Sequence, residues 1–470
     1  MSHAISMIRE GRRMSLRQQL RLTVMLALPA MLAQLSSIAM QYIDAAMVGH
    51  LGAEASASIG LVSTTLWLFW GTCSAITSGF SVQIAHRVGA GDFEGARHVL
   101  RQGLSGSLLF GFMAMVIGLS IAPGLPHWLG GTGEVCRPAT VYFLVFVLAL
   151  PLLTLNYMGG AALRCAGNMK VPSLISTLMC VLDCVFNALL IFPSWDLSLC
   201  GLTLTVPGAG LGVLGAALGT VLAEAVSAAL MLYYLCVRQP GLRLWGRRGS
   251  FRLTKGVVSK AVRISAPMGL EHIVICGAQI AVTVIVAPLG MYAIAANGFA
   301  VVAESLCYMP GYGIGDAATT LTGQSLGAGR RDLVRRFAYI SVALGMVVMS
   351  VMGVLMWLGA PWVMALLSPV AEIQSMGVGI LRIEAWAEPM FAASIVAYGA
   401  FVGVGHTVVP AMMNFGSIWL VRVPLSAVLV SGMGLDGVWL AMCVELMFRG
   451  SIFLLRLRSD KWIPSVSPAG

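Results

Sequence analysis

Charged residues are scarce in this chain of 470 residues: only 10% are Asp, Glu, Lys or Arg, whereas soluble domains carry roughly 25%. At the same time, 58% of the residues are hydrophobic. A water-soluble fold could not hold so many apolar residues without exposing a large apolar surface. The composition therefore excludes an ordinary soluble domain and indicates a protein dissolved in lipid, and the 54 glycines suit close helix packing in membranes.

The motifs of several enzyme classes are also missing. Without a Walker sequence, ATP is not expected to drive this chain, and without HExxH or GxSxG no zinc protease or serine hydrolase is expected. Gly313-Ile314-Gly315-Asp316 matches the GxGD pattern of intramembrane aspartyl proteases. That chemistry needs a second aspartate facing the first at close range, and the helix map offers none. We therefore expect no catalytic residue and no cofactor.

Long hydrophobic segments are abundant, and each is close to the 20 or so residues that a helix needs to cross the hydrocarbon core. They lie near 22–48, 57–82, 103–122, 139–163, 171–192, 211–237, 262–288, 293–325, 337–358, 376–404, 408–432 and 437–455. Pro310 and nearby glycines interrupt the eighth segment, where we expect a bend or break. The first segment is too long for a cleavable signal and is expected to stay as helix 1.

The basic residues fall on one side of this map. Of the 29 Lys and Arg residues, 26 lie in the N-terminal tail, in the loops after spans 2, 4, 6 and 8, or at the C-terminal end. Because cytoplasmic loops are rich in Lys and Arg, the sequence predicts a multi-pass protein of the cell inner (plasma) membrane with both termini cytoplasmic. The net charge of +10 follows from this topology, so no nucleic-acid partner is expected. Cys136 and Cys200 fall in predicted outer loops, and the sequence leaves open whether they form a disulfide.

The chain contains an internal repeat. Three motifs recur with one offset of 238 residues: Pro29 and Pro267, Gly89-Ala90-Gly91 and Gly327-Ala328-Gly329, and Gly167 with Pro172 against Gly405 with Pro410. The offset then falls to 222 between Gly215 and Gly437, because the 193–209 loop adds sixteen residues to the first half. We therefore expect an all-α membrane protein with twelve transmembrane helices in two pseudo-symmetric six-helix lobes around a central cleft. The predicted parts are a basic N-terminal tail (1–21), an N-lobe (22–238), a basic linker (239–260), a C-lobe (261–457) and a C-terminal tail (458–470).

Several motifs, taken in order, resemble the multidrug and toxic compound extrusion (MATE) family. They are Tyr42-Ile43-Asp44, Val48-Gly49-His50-Leu51-Gly52, Gly89-Ala90-Gly91-Asp92, Gly212 to Ala217, Gly323-Gln324-Ser325-Leu326-Gly327-Ala328-Gly329 and Gly437-Val438-Trp439-Leu440. The resemblance runs from about residue 20 to Trp462. It implies two six-helix lobes that export organic, often cationic, compounds in exchange for an inward flow of Na⁺ or H⁺. Small organic substrates, the lipid bilayer and the coupling cation are then the expected partners, and we expect a monomer.

Ionisable residues within spans are costly and are candidates for function. Asp44 in span 1 is the first candidate for coupling, and Asp183 and Asn187 share one face of span 5. With the hydroxyl of Thr220 in span 6, these side chains could form an all-oxygen pocket for Na⁺, or the carboxylates could take a proton. The family's first-lobe cation pocket resembles this set, although relatives often place Asn first and Asp four residues later. The alternative is that Asp183 and Asn187 only hold the lobe together.

The second lobe offers a less definite set. Glu271, Glu304 and Glu388 lie in spans 7, 8 and 10, where they resemble acidic or amide positions of the family and could bind cationic substrates or a proton. Alternatively, they pair with Arg382 or Arg422. Two other functions also stay open. A duplicated structural membrane protein is one, and a lipid-linked oligosaccharide flippase of a related two-lobe family is the other. A flippase that handles a pyrophosphate should have a cationic cleft, whereas the spans here hold more acids than arginines.

Overall fold

A computed structural model describes residues 2–131, 133–199 and 202–464, and most of their regular structure is helical. The α-helices are α1 (Ser2–Arg9), α2 (Leu16–Gly49), α3 (Ala53–Gly89), α4 (Phe93–Ile121), α5 (Leu125–Trp128), α6 (Cys136–Cys165), α7 (Lys170–Ile191), α8 (Val213–Tyr233), α9 (Lys255–Val286), α10 (Met291–Gly327), α11 (Arg331–Leu367), α12 (Ala371–Glu384), α13 (Glu388–Gly403), α14 (Val408–Ser417) and α15 (Val423–Arg458). Two strands, β1 (Pro193–Leu199) and β2 (Leu202–Ala209), form an antiparallel hairpin. Five-residue π-helical turns extend α8 to Arg238 and join α14 to α15.

The predicted spans correspond closely to these helices. In the described chain, ten helical segments are long and apolar enough to cross a membrane, and α12 with α13 makes a further span that is bent by 60°. One of the ten, Val408–Arg458, has 51 residues and would be about 76 Å long, more than twice a hydrocarbon core of about 30 Å. Gly434, with φ 60° and ψ −135°, divides it into two spans. The described residues therefore hold the twelve spans predicted.

The position of the helix break was predicted wrongly. α10 continues through Pro310, because neighbouring helices pack closely on both sides of it. The break lies instead in span 10, between α12 and α13. Pro389 is the second residue of α13 and has no N–H to donate to the carbonyl four residues earlier, so a continuous helix would lose a hydrogen bond there.

The predicted tails and linker contain more helix than expected. The predicted N-terminal tail includes α1 and the first residues of α2, which begins after a capping box in which Ser15 and Gln18 satisfy each other's backbone N–H groups. Helix α9 begins at Lys255, inside the predicted linker. The predicted C-terminal tail holds a short 3₁₀ turn at Asp460–Trp462, while residues 465–470 lie outside the described residues, as does Cys200 of the disulfide left open above.

Helix bounds repeat between the two halves. α3 (Ala53–Gly89) and α10 (Met291–Gly327) begin and end exactly 238 positions apart, and the starts of α4 and α11 differ by the same number. The β1–β2 hairpin occupies the extra residues of the first half, where the sequence predicted only a loop. The repeat seen in the sequence is therefore also a repeat of secondary structure.

Two interfaces related by this repeat join the lobes: α2 packs on α10, and α3 packs on α9. The Tyr42 hydroxyl of α2 donates to the Val302 carbonyl of α10 over 2.7 Å. A Cβ at Gly313 of α10 would lie 2.8 Å from Cα of Met31, and a Cβ at Gly79 of α3 would lie 2.9 Å from the carbonyl carbon of Ala261. Glycine is therefore needed where the backbones of the two lobes approach each other.

The helix ends that carry the predicted cytoplasmic loops and both termini are here called the basic end. There, His86 Nε2 of α3 lies 2.8 Å from the Gly403 carbonyl, and the Gln324 amide of α10 donates to the Cys165 carbonyl over 2.7 Å. The two pairs are related by the repeat, because Gln324 lies 238 positions after His86 and Gly403 lies 238 positions after Cys165. We call these four residues the interlobe lock, because they close the cleft between the lobes at the basic end with two equivalent hydrogen bonds.

Candidate functional site

A cavity of about 790 Å³ lies within the N-lobe. Residues of α2, α3, α6, α7 and α8 line it, and Tyr312 and Asp316 of α10 complete its wall. The cavity extends to Ser56 and Gly60, which are exposed near the end of α3 that lies opposite the basic end. Because the interlobe lock closes the other end, the cavity opens away from the basic end.

Asp44 and Asn187 line this cavity, and the fully buried Asp183 contacts Asn187; these three residues are here called the polar trio. The Asn187 amide nitrogen donates to Asp44 Oδ1 over 2.9 Å and to Asp183 Oδ2 over 3.1 Å. One amide group thus bridges a carboxylate of α2 and a carboxylate of α7. Two of the remaining oxygens, Asp183 Oδ1 and Asn187 Oδ1, are buried and have no hydrogen-bond partner among the described residues. Buried oxygens without a donor are unfavourable, and a bound cation or proton would satisfy them.

Thr220 lies in the wall of the same cavity but does not join the trio. Its hydroxyl donates to the Ala216 carbonyl of its own helix over 3.2 Å. The residue before it has the closer relation to the trio, since a Cβ at Gly219 would overlap Asn187 Oδ1 and lie 3.0 Å from the Asn187 backbone nitrogen. Gly219 therefore gives the Asn187 amide the space that it occupies, a role that the sequence did not suggest.

Two further polar side chains line this cavity, and the sequence analysis did not predict them there. Glu224, which was given no role, lines the cavity and accepts a hydrogen bond from the Asn156 amide over 2.6 Å. Arg164, which was assigned to a loop, lies in the last turn of α6 and faces Asp316 across the lobes at 3.8 Å. Asp316 of the GxGD pattern therefore has an arginine as its neighbour, and no second aspartate interacts with it among the described residues. Asn156 and Arg164 are eight residues apart on α6, a spacing that places them on one face.

In the C-lobe, Glu271 lies at a second cavity of about 320 Å³. Its carboxylate accepts hydrogen bonds from the Tyr398 hydroxyl over 2.5 Å and from the Asn414 amide. Both donors are uncharged, and no arginine forms an ion pair with Glu271 among the described residues. The predicted pairing of Glu271 with Arg382 or Arg422 is therefore not observed.

Glu304 and Glu388 lie together, and Glu384 joins them. The three buried carboxylates interact electrostatically across α10, α12 and α13, and the break in span 10 separates Glu384 from Glu388. Both oxygens of Glu384 and one of Glu388 have no hydrogen-bond partner in the described part of the chain. Arg422 acts on Glu304 and Glu384 through space, but it forms no ion pair with them.

The arginines of the C-lobe have other partners. Arg422 lies 2.7 Å from Glu445, and Arg449 forms two further bonds of 2.7 and 2.8 Å with the same carboxylate. Arg382 stacks on the Trp357 ring at 4.9 Å. Glu445 is therefore the carboxylate that the arginines neutralise, which leaves the predicted candidates Glu304 and Glu388 without an ion-pair partner in the described residues.

These donor sets suit a monovalent cation or a proton better than a transition metal. Within the described residues, no group of three or more His, Cys, Asp and Glu side chains has a spacing suited to a metal ion. The polar trio offers two carboxylates and one amide oxygen, which are hard oxygen ligands. The N-lobe cavity as a whole carries Asp44, Glu224 and Asp316 against the single basic side chain of Arg164, so a positively charged ligand is favoured there.

Comparison with known proteins identifies the family to which this chain belongs. The MatE family profile matches residues 29–189 and 267–428, and the two matches begin 238 positions apart. The probable multidrug resistance protein NorM of Thermotoga maritima is 26% identical over 457 residues, covering 93% of this chain and 92% of that protein. The protein of the same name in Pseudomonas aeruginosa is 28% identical over 440 residues, covering 90% and 85%.

Solved structures agree on the fold. An outward-facing multidrug resistance MATE family transporter of the MOP superfamily aligns with a TM-score of 0.87 at 21% identity, covering 97% of this chain and 98% of that one. A MOP superfamily transporter from Pyrococcus furiosus aligns with the same TM-score and identity, covering 97% of both chains. The family profile covers more than half of the sequence and the fold agrees along its length. The chain therefore belongs to the MatE family of membrane transporters, the multidrug and toxic compound extrusion family.

Proposed function

We propose that this protein is a multidrug efflux transporter that exports organic, often cationic, compounds by antiport with Na⁺ or H⁺. The observation that carries the proposal is the position of the polar trio in the wall of a cavity large enough for a drug-sized molecule. A coupling cation and a substrate can then bind in one lobe and depend on each other. The names of the multidrug resistance relatives support the same substrate class.

In this proposal, the basic end faces the cytoplasm, and the protein acts as a monomer in the inner membrane. The lobes alternate between two arrangements. In one, the interlobe lock is closed and the cavity opens to the outside; in the other, the lock is broken and the cavity opens to the cytoplasm. Binding a cation at the trio from outside would favour one arrangement, and its release inside would restore the other. Glu271, Glu304 and Glu388 are proposed as a second place for a proton or a cationic substrate.

The test is ethidium transport by purified protein in liposomes under an imposed Na⁺ or H⁺ gradient. We expect one of the gradients to drive ethidium accumulation, and Asp44→Asn to abolish it while the protein still folds, because the amide keeps shape but cannot exchange charge. Glu372→Gln is the matched control, since Glu372 is exposed at the start of α12, away from the cavity. Undiminished transport by Asp44→Asn would exclude the coupling role, and no transport under either gradient would exclude the function.

The flippase alternative predicts a different cavity. A lipid pyrophosphate needs several arginines or lysines at its binding site. The N-lobe cavity instead holds three carboxylates and one arginine, which already faces Asp316. Competition of ethidium binding by a polyprenyl pyrophosphate would favour the flippase, and we expect none.

A further inference from the structure

Glu224 is a carboxylate of the N-lobe cavity that lies outside the polar trio. It belongs to α8 and follows Thr220 by one helical turn, about 6 Å further toward the basic end. One of its oxygens, Oε2, accepts from the Asn156 amide over 2.6 Å. The Ser227 hydroxyl donates to the other end of that amide, Asn156 Oδ1, over 3.3 Å. Ser227 therefore fixes Asn156 with its N–H groups toward Glu224, and the carboxylate is held at the cavity wall.

The Glu224 carboxylate has no ion-pair partner in the part of the chain that the structure describes. Among the described residues, no Lys, Arg or His forms a salt bridge with it, and the charged residue that acts on it through space is another acid, Asp183. Arg164 lies two helical turns beyond Asn156 on α6, about 12 Å along the helix, where it faces Asp316. A positive charge for Glu224 must therefore come from outside the described chain.

Glu445 shows the contrasting arrangement in the same protein. It occupies the corresponding helix of the C-lobe but is enclosed by Arg422, Arg449 and the Ser417 hydroxyl. That carboxylate is neutralised by the protein and lines neither of the two cavities described above. Glu224 is hydrogen-bonded to an uncharged amide, whereas Glu445 is paired with two arginines. Glu224 also faces the cavity, as expected of a carboxylate that receives a ligand.

The surroundings of Glu224 suit an organic cation. Trp70, Phe146 and Tyr157 line the same cavity, and aromatic faces attract ammonium and other delocalised cations. The trio, by contrast, has its bridging amide bonded to both of its own carboxylates. The two acidic positions of one lobe therefore differ in chemistry: one is a compact oxygen cluster, and the other is a single carboxylate in a cavity that aromatic rings also line.

From these contacts we propose that Glu224, positioned by Asn156, binds the positive charge of the transported compound, while the polar trio binds the coupling ion. The proposal rests on the proposed efflux function and adds a residue that determines substrate charge. It implies that cargo recognition and ion coupling can be separated by single substitutions within the N-lobe.

The test compares two dyes with purified full-length protein. Ethidium is cationic and Nile red is uncharged, and the binding of each can be followed by fluorescence. For Glu224→Gln we expect the Kd for ethidium to rise about tenfold, the loss expected for one charge-assisted contact. The Kd for Nile red and the ion concentration for half-maximal exchange should stay unchanged. Asp44→Asn should abolish ion-driven exchange while leaving the Kd of both dyes unchanged, and Glu372→Gln should change neither dye binding nor exchange.

The outcomes separate the possible roles. Unchanged ethidium affinity in Glu224→Gln would overturn the proposal, and so would an equal loss of both dyes with a lowered Tm, since that result marks a structural residue. A changed ion dependence with unchanged dye binding would assign Glu224 to coupling and also overturn it. Glu224→Asp keeps the charge and should retain more ethidium binding than Glu224→Gln. If the wild-type protein binds ethidium but moves neither dye under any gradient, the efflux function fails independently of the role of Glu224.

Discussion

Replacing Gly327 by alanine should open the basic end of the molecule. Gly327 of α10 lies directly against the backbone of His86 in α3, and an added Cβ would overlap the His86 carbonyl oxygen and lie 2.7 Å from its carbonyl carbon. Carbon atoms normally approach to about 3.5 Å, so the carbon contact alone requires the two helices to separate by about 0.8 Å, and the closer oxygen requires more. Backbone atoms cannot move aside as a flexible side chain can. In the proposed alternation of the lobes, this contact belongs to the arrangement in which the interlobe lock is closed.

The size of the effect follows from the cost of overpacking. An added methyl group in a close-packed interface typically costs about 1–3 kcal/mol. Because about 1.4 kcal/mol is a factor of ten, the lock-closed arrangement should lose about 5- to 150-fold in population relative to the lock-open one. Gly89 of α3 is the pseudo-symmetric equivalent, since its Cβ would lie 2.7 Å from the carbonyl carbon of Gln324. Gly89→Ala should therefore have a similar effect.

Labelling of Cys165 measures the opening. Cys165 accepts one hydrogen bond of the lock and is only 4% exposed. In a variant that keeps Cys165 as its sole cysteine, a membrane-impermeant maleimide added at the basic end should react faster after Gly327→Ala. Gly298→Ala is the matched control, because Gly298 lies in the same helix with no atom within 4 Å of its added Cβ. Equal labelling rates in Gly327→Ala and Gly298→Ala would refute the reasoning.

Four further outcomes are expected. Gly219→Ala should displace the Asn187 amide and reduce ion-driven transport without removing a polar group. Asp183→Asn combined with Asn187→Asp should retain much of the transport in proteoliposomes, whereas Asp183→Asn alone should lose most of it, because one carboxylate is gone. Glu445→Gln should destabilise the protein by about 3–5 kcal/mol in thermal unfolding, since the buried Arg449 and the partly buried Arg422 lose their counter-ion. Asp92→Ala should cost about 1 kcal/mol near pH 7, because it removes the N-cap of α4.

Each of these outcomes has a result that would contradict it. Full transport by Gly219→Ala, or equal activity of the single and double variants at positions 183 and 187, would count against a shared ion pocket. An unchanged Tm for Glu445→Gln would mean that the arginines find other partners. The Gly95 backbone N–H and Arg87 hold the pKa of Asp92 below its usual value of 3.8. The stability that Asp92 supplies should therefore be present above pH 3.8 and lost as the pH falls through the lowered pKa, and a constant deficit at all pH values would contradict this account.

The positions of the transmembrane helices could be predicted because a membrane span is recognised by the length of its hydrophobic segment. The break in span 10 could not be predicted, because Pro310 and Pro389 are both prolines that can interrupt a helix. Both prolines are packed closely by neighbouring helices: Gly313 of α10 lies against the backbone of Met31 in α2, and Gly353 of α11 lies against the Ala385 carbonyl at the bend. The sequence therefore shows where a helix can break, and the choice between the two places depends on tertiary packing that local signals do not contain.

The polar trio was accessible to sequence reasoning because Asp183 and Asn187 share a helix face by spacing alone. The sequence could not show whether Thr220 or Glu224 is the important side chain of α8. That helix is apolar around most of its circumference, so its periodicity does not show which side meets the cavity. Because the bridging amide contacts both carboxylates, we expect the number of carboxylates to matter more than the order of Asp and Asn. The ion pairs of the C-lobe depend on side-chain reach across helices, which spacing within one helix cannot indicate.

The β1–β2 hairpin has a practical consequence for imaging. A 49.6 kDa membrane protein whose halves repeat gives particle images that look alike after a half-turn about the membrane normal. The hairpin belongs to the N-lobe and replaces a much shorter connection at Gly434 in the C-lobe. An antibody fragment bound to the hairpin would therefore mark one lobe in every projection, fix the alignment of the particles, and allow the two arrangements of the lobes to be sorted from a single sample.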